Sequence, residues 1–325
     1  MLIQNVRKEP AGTELFLPAG YDVVWSALAL VLLAGFVAAV VLVARALART
    51  GPRVPRLHDL VAADPVRRAA RRHGVTVSAL AVGAATLVGI VTAQSVAGVD
   101  GLAEGVLTGL TPAIVGAAFL GTHAVGELTW PRQRTAVRAA TLQARSVRDV
   151  TPRGLRLLTW ALGGLVLALV VIGGLTAGAD GRSVTRVRVD GWSTAGPYPG
   201  WFYGAWLALA AVVLVAGSEG VLRLVARRPA VPRVASAWDL ALRRTSAHRV
   251  LRGVQLALAV TAAGTLGVGA NAAARAGYAG AASLVAVAVA LALAGLWVAV
   301  QPAPDPDEDG TGSPAPVVAG ARADA

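Results

Sequence analysis

The sequence predicts an all-α integral membrane protein with seven transmembrane helices, its N-terminus outside and its C-terminus in the cytoplasm. Three observations predict it. Hydrophobic residues make up 55% of the 325-residue chain and charged residues only 15%, where a soluble domain carries about 25% charged residues. The mean hydropathy is +0.62. Charge-poor windows of about 20 residues, the length that crosses roughly 30 Å of hydrocarbon at about 1.5 Å per residue, recur along the chain. The basic residues between those windows are sorted by side.

The windows cover residues 23–44, 75–99, 102–124, 157–177, 201–222, 254–272 and 278–300. The first is too long for the apolar core of a signal peptide and is followed by arginines instead of a small-residue cleavage site, so it reads as a retained span. The second and third are separated only by Asp100 and Gly101, which predicts a tight helical hairpin. The organisation that follows is an outer tail (1–22) and a first membrane half (23–177) with spans one to four and inner loops 45–74 and 125–156. An outer loop (178–200) leads to a second half (201–300) with spans five to seven and inner loop 223–253, and an acidic, proline-rich tail (301–325) predicts disorder in the cytoplasm.

Orientation comes from counting Lys and Arg. On this assignment 24 of the 30 basic residues fall on one side and 6 on the other, which the positive-inside rule assigns to cytoplasm and exterior. The net charge of +12 is thereby explained by topology and calls for no nucleic acid. Trp and Tyr, which favour the headgroup level, collect at the expected boundaries. Tyr21, Trp25, Trp192, Tyr198, Trp201, Trp206 and Tyr278 fall outside, and Trp130, Trp160, Trp238 and Trp297 fall inside. Lys8 is the only lysine and cysteine is absent. That arginine and alanine bias fits a GC-rich bacterial genome and hence a bacterial plasma membrane. In the outer loop, Val184, Arg186, Val187, Arg188 and Val189 alternate in part between Gly181 and Gly191, which predicts a strand or hairpin. In inner loop 223–253, Trp238, Leu242 and Leu251 among Arg243, Arg244 and Arg249 fit a weakly amphipathic helix on anionic headgroups, so membrane lipids are the expected partners. A membrane-protein partner or a second copy of the chain is left open.

Catalytic patterns are missing. The chain has no His-Glu-x-x-His, no Gly-x-Ser-x-Gly and no phosphate-binding glycine loop, so the expectation is a non-enzymatic protein with no cofactor. Four polar residues are candidates for function. His123 and Glu127 are four apart on one helical face, where an imidazole and a carboxylate can share a proton or a metal, although two ligands are too few for a structural site. Glu219 lies about one turn inside the end of span five among Gly217, Ser218 and Gly220, and a carboxylate at that depth must pair, protonate or face water. Arg223, its i+4 neighbour, or another arginine at the inner interface is the expected partner, with a hydrated site between helices as the functional alternative. Asn271, near the outer end of span six, would join Glu219 if a polar cavity ran between the helices. Pro112 interrupts span three, and Gly163, Gly164, Gly173 and Gly174 predict close packing of span four.

The halves also match at a nearly constant offset. Val54, Pro55 and Arg56 resemble Val231, Pro232 and Arg233; Asp59 and Leu60 match Asp239 and Leu240; Gly74 and Val75 match Gly253 and Val254. This suggests a parallel repeat in which spans one to three correspond to spans five to seven, with span four as linker. At Gly126, Glu127, Leu128, Thr129, Trp130, Pro131 and Arg132, and again at residues 16–25, the chain resembles uncharacterised multi-pass membrane proteins of high-GC Gram-positive bacteria, which implies location and source but no activity. The 3+1+3 arrangement is similar to that of the small sugar-transporting SWEET family. The Pro-Gln motifs of that family are absent and the arginine loops are longer, so the likeness implies an architecture and makes a small-solute or ion permease the second reading. A membrane-embedded enzyme comes third.

Overall fold

A computed structural model describes residues 65–130, 146–189, 191–231 and 234–306. The helices in chain order are α1 (Pro65–Ala97), α2 (Leu102–Leu128), the single turn α3 (Val147–Val150), α4 (Arg153–Thr176), α5 (Trp201–Arg227), α6 (Ser236–Arg275) and α7 (Ala281–Val300). A hairpin of β1 (Val184–Arg188) and β2 (Gly191–Ala195) lies between α4 and α5. Six of these helices, all but α3, are long and apolar enough to cross a membrane. They fall on the second to seventh windows, and the first window, residues 23–44, lies outside the described residues.

Two helices are much longer than their windows. α1 begins ten residues early and carries Arg67, Arg68, Arg71 and Arg72, while α6 begins at Ser236, inside the expected inner loop. Arginine is a good helix former, so the backbone continues where the apolar stretch stops. The segment expected on headgroups is therefore the first half of α6, and its Trp238, Leu242, Arg243 and Leu251 are buried against the rest of the chain. Trp130 and Trp238, expected at a lipid boundary, belong to a small core with Ala70, Val231 and Leu242.

α6 is the central helix. Its buried residues run from Trp238 to Ala272, whereas α1 buries only Ala70, Ala81 and Thr92. The main core joins α2, α4, α5 and α6 through Leu120, Leu162, Val166, Leu214, Val254 and Leu258. Small residues permit that approach. A Cβ on Gly116 would stand 2.6 Å from the Ala257 Cβ and 3.2 Å from a Leu214 methyl, and one on Gly163 would stand 2.7 Å from a Val215 methyl. Gly174 is similarly closed by Trp201 and Gly173 by Pro199, but Gly164 faces open space. Gly116→Val should push α2 off α5 and α6 at a cost of about 1–3 kcal/mol, the usual penalty of overpacking, seen as a lower thermal unfolding midpoint in detergent.

Hydroxyls in the helices turn back on their own backbone. Thr92, Thr111, Thr122, Thr159, Thr261 and Thr265 each donate to the carbonyl four residues earlier at 2.7 to 3.0 Å. This satisfies each hydroxyl donor within its own helix, and the Thr159 oxygen also accepts from the Gln255 amide of α6 at 3.0 Å. α2 runs through Pro112 without a break, and the Thr111 hydroxyl goes to Leu107.

The expected hairpin forms, antiparallel, with Val184 opposite Ala195 and Val187 opposite Trp192. Asp180 organises its entry, accepting from the backbone N–H of Arg182 at 3.1 Å and of Ser183 at 3.0 Å. The Arg182 N–H in particular holds the Asp180 carboxyl below the usual carboxylate range. The hairpin sits over the α6–α7 turn: Arg188 donates to the Gly277 carbonyl at 3.0 Å and the Tyr278 hydroxyl donates to the Thr185 carbonyl at 3.0 Å. Gly277 and Gly280 take positive φ there (88° and 77°), a conformation in which glycine avoids the Cβ clash.

Candidate functional site at the arginine-rich end

The end of the bundle opposite the hairpin holds the buried ion pairs. Each pair arises where a helix ends beside a neighbour that supplies a donor or a carboxylate.

The first is a C-terminal cap made by another helix. α5 stops at Arg227, leaving its last carbonyls without intrahelical partners. Arg243 of α6, 1% exposed, donates to the carbonyls of Val225 (2.7 Å), Ala226 (3.0 Å) and Arg228 (2.8 Å). Its Nε donates to Asp239 at 2.9 Å, one helical turn earlier, and the other Asp239 oxygen accepts the Val231 N–H at 3.3 Å. The guanidinium is thus neutralised and makes four hydrogen bonds.

The second centres on Arg228, whose side chain is completely buried. It lies 3.9 Å from the centre of the Trp130 ring, 3.3 Å from Glu127 and 3.3 Å from the Ser246 hydroxyl. Burial weakens its charged form and lowers its pKa, and the Glu127 carboxylate opposes that shift. The candidate pairing of Glu127 with His123 does not form: the carboxylate goes to an arginine 101 residues away. His123 is buried, packs edge-on against Phe119 at 4.7 Å, and its Nε2 has no hydrogen-bond partner. His73, from α1, contacts the Gly126 carbonyl at 3.0 Å and meets Trp130 edge-on at 5.0 Å.

These residues surround a cavity of about 10 Å3 lined by His73, Ser78, His123, Glu127, Ser246 and Arg249 among others. A single water needs about that much room, so the cavity as it stands holds no organic substrate. Among the described residues no three His, Asp or Glu side chains converge as metal ligands.

The third pair is Glu219. It accepts two bonds from Arg156 of α4, from Nε at 2.7 Å and Nη2 at 3.0 Å, and a third from the Trp160 indole at 3.0 Å. The fork of Arg156 takes the place expected of Arg223, because a guanidinium facing the carboxylate across two helices offers two parallel bonds where an i+4 side chain runs alongside. Trp160 is correspondingly tied to a carboxylate. Glu219→Gln should cost about 1 kcal/mol, since the amide still accepts from Arg156. Arg156→Ala should cost more, about 2–3 kcal/mol, because it strands the carboxylate. Unfolding midpoints of the two purified variants in detergent check that order.

Asn271 is half-buried near the far end of α6. Glu219 lies at the arginine-rich end, so the structure does not bring the two together. The residues that organise this end, Arg156, Arg228, Arg243 and His73, were not singled out as sites by the sequence. Only Asp239 and Arg243, at i and i+4, carried a local signal of pairing. No family model, no curated protein and no solved structure matches the chain.

Proposed function

We propose that the chain is a seven-span integral protein of a bacterial plasma membrane, N-terminus outside, non-enzymatic, and acting through its arginine-rich cytoplasmic end. The observation that carries this reading is the distribution of polar groups. The hydroxyls of Thr92, Thr111, Thr122, Thr261 and Thr265 bond their own carbonyls, and Glu219 is matched by Arg156 and Trp160 near one end. A conduction path needs polar groups facing water in the middle of the bundle. The main core there is Leu, Val and Ala, and the enclosed Gln255 amide is spent on the Leu155 carbonyl and the Thr159 hydroxyl of α4.

Seven spans, counting residues 23–44, bring every arginine-rich connection to one side. The 3+1+3 repeat is part of the proposal. In its favour, α1–α2 and α6–α7 are both hairpins whose second helix follows a glycine at positive φ, Gly101 at 75° and Gly280 at 77°. Anionic headgroups are the proposed neighbours of the exposed arginines. A small-solute permease is the second reading, supported by Thr108, whose buried hydroxyl has no partner. Reporter fusions after Arg72, after Arg148 and at Ala325 should report cytoplasm, and one at Ser193 should report the exterior. A cytoplasmic signal at Ser193 would remove the seven-span topology.

A further inference from the structure

The segment after α7 does not leave the molecule. It turns back along α6 and crosses to α1: Arg252 donates to the Gln301 carbonyl, the Thr245 hydroxyl donates to the Pro304 carbonyl at 2.8 Å, and Arg71 donates to the Asp305 carboxylate at 2.7 Å. Arg252 and Thr245 are seven residues apart on α6, about 10 Å along its axis. The segment therefore lies extended and antiparallel to the helix.

Its composition suits that position. Pro302 and Pro304 alternate within it, so two of its five backbone N–H groups are missing and carbonyl acceptors outnumber backbone donors. The wall it lies on presents donors, two guanidinium groups and a hydroxyl. Alternating proline also favours a stiff extended conformation, so little entropy is lost on docking and the strap lifts as one piece.

Charge makes the contact exchangeable. Two guanidinium groups, Arg71 and Arg249, act on one carboxylate: Arg71 pairs with Asp305 directly and Arg249 feels its charge. The Arg71 and Asp305 side chains remain 35% and 41% exposed. An ion pair that exposed is worth about 0–1 kcal/mol and is screened by salt. An anionic leaflet, by comparison, attracts each nearby arginine by about 1 kcal/mol. We propose that residues 301–305 form an intramolecular latch, with the Asp305 carboxylate occupying a cationic cleft between α1 and α6, and that anionic lipid phosphate competes for this cleft and releases the latch. The inference rests on the membrane reading above. It adds a specific lipid site and a consequence: α1 is tied to α6 at this end by the strap and by Arg249, which donates to the Gly74 carbonyl at 3.2 Å and to Ser78 at 3.4 Å. Release loosens α1 beside the cavity that His73 and His123 line.

The chain has no cysteine, so spin labels at Ala69→Cys and Ala303→Cys in the full-length protein report the latch alone. In phosphatidylcholine vesicles the label distance should be single and short. Adding phosphatidylglycerol at constant ionic strength should lengthen it by up to about 15 Å, the span of five extended residues at about 3.1 Å each. Asp305→Asn should already populate the longer distance in phosphatidylcholine, raising the released fraction up to about fivefold, since the Arg252 and Thr245 contacts remain. An unchanged released fraction in Asp305→Asn, or equal distances in the two lipids, overturns the proposal. Release by inorganic phosphate in phosphatidylcholine overturns the lipid assignment in favour of a soluble anion. Co-flotation with both vesicle types tests the membrane reading separately, and its loss would count against that reading whatever the labels report.

Discussion

Asp239→Ala should destabilise the protein by about 3–5 kcal/mol, the cost of leaving a buried guanidinium without its counter-ion. Arg243 cannot escape to water: it is held by three carbonyls at the end of α5, and its side chain and that of Asp239 are almost fully enclosed. Removing the carboxylate also frees the Val231 N–H. Arg243→Ala should cost a similar amount, because it uncaps α5 and strands Asp239. The double variant should lose little more than either single one, since the two side chains act as one unit. Thermal unfolding followed by helical circular dichroism in detergent measures all three. Additive losses would mean that Arg243 and Asp239 stabilise the fold independently.

Glu127→Ala should be comparably severe, again about 3–5 kcal/mol, because it leaves the enclosed Arg228 with a ring face and a serine hydroxyl as its remaining side-chain partners. The diagnostic is rescue. Adding Arg228→Met to Glu127→Ala removes the stranded charge and keeps an apolar side chain against Trp130, so stability should largely return. If the double variant is no better than Glu127→Ala, the carboxylate matters for some reason other than neutralising Arg228.

The apolar windows, the α1–α2 hairpin and the β-hairpin were legible because each depends on residues close together in sequence. Twenty apolar residues must bury their own backbone bonds, and the alternation between Gly181 and Gly191 is a local pattern. Helix ends were not legible in the same way. Hydropathy marks where the apolar stretch stops, at Arg72 or Arg252, but says nothing to end a helix rich in arginine and alanine, and α1 and α6 continue past it. The burial of Trp238 and Arg243 follows from that extension.

Partners across the bundle were the least legible. Glu219 was correctly required to have one, on grounds of desolvation, but Arg156 is 63 residues away and only packing brings it there. The i+4 rule favours Arg223 and cannot see α4. His123 and Glu127 share a helical face as the spacing implies, yet a buried arginine at the end of α5 is a stronger claimant for the carboxylate than a neutral imidazole. Residues 23–44 and the loop matches at residues 54–60, on which much of the repeat rests, lie outside the described residues.

The central claim is that the bundle is dry in its middle and charged at one end. Thr261, enclosed in α6 and bonded to the Ala257 carbonyl at 2.8 Å, is the place to test it. In the cysteine-free chain, Thr261→Cys should resist a membrane-impermeant thiol reagent applied from either side, while Arg182→Cys at the exposed entry to the β-hairpin should react from one side. Modification of Thr261→Cys in the folded protein would reveal a water-filled path between the helices, contradict the account and favour a permease.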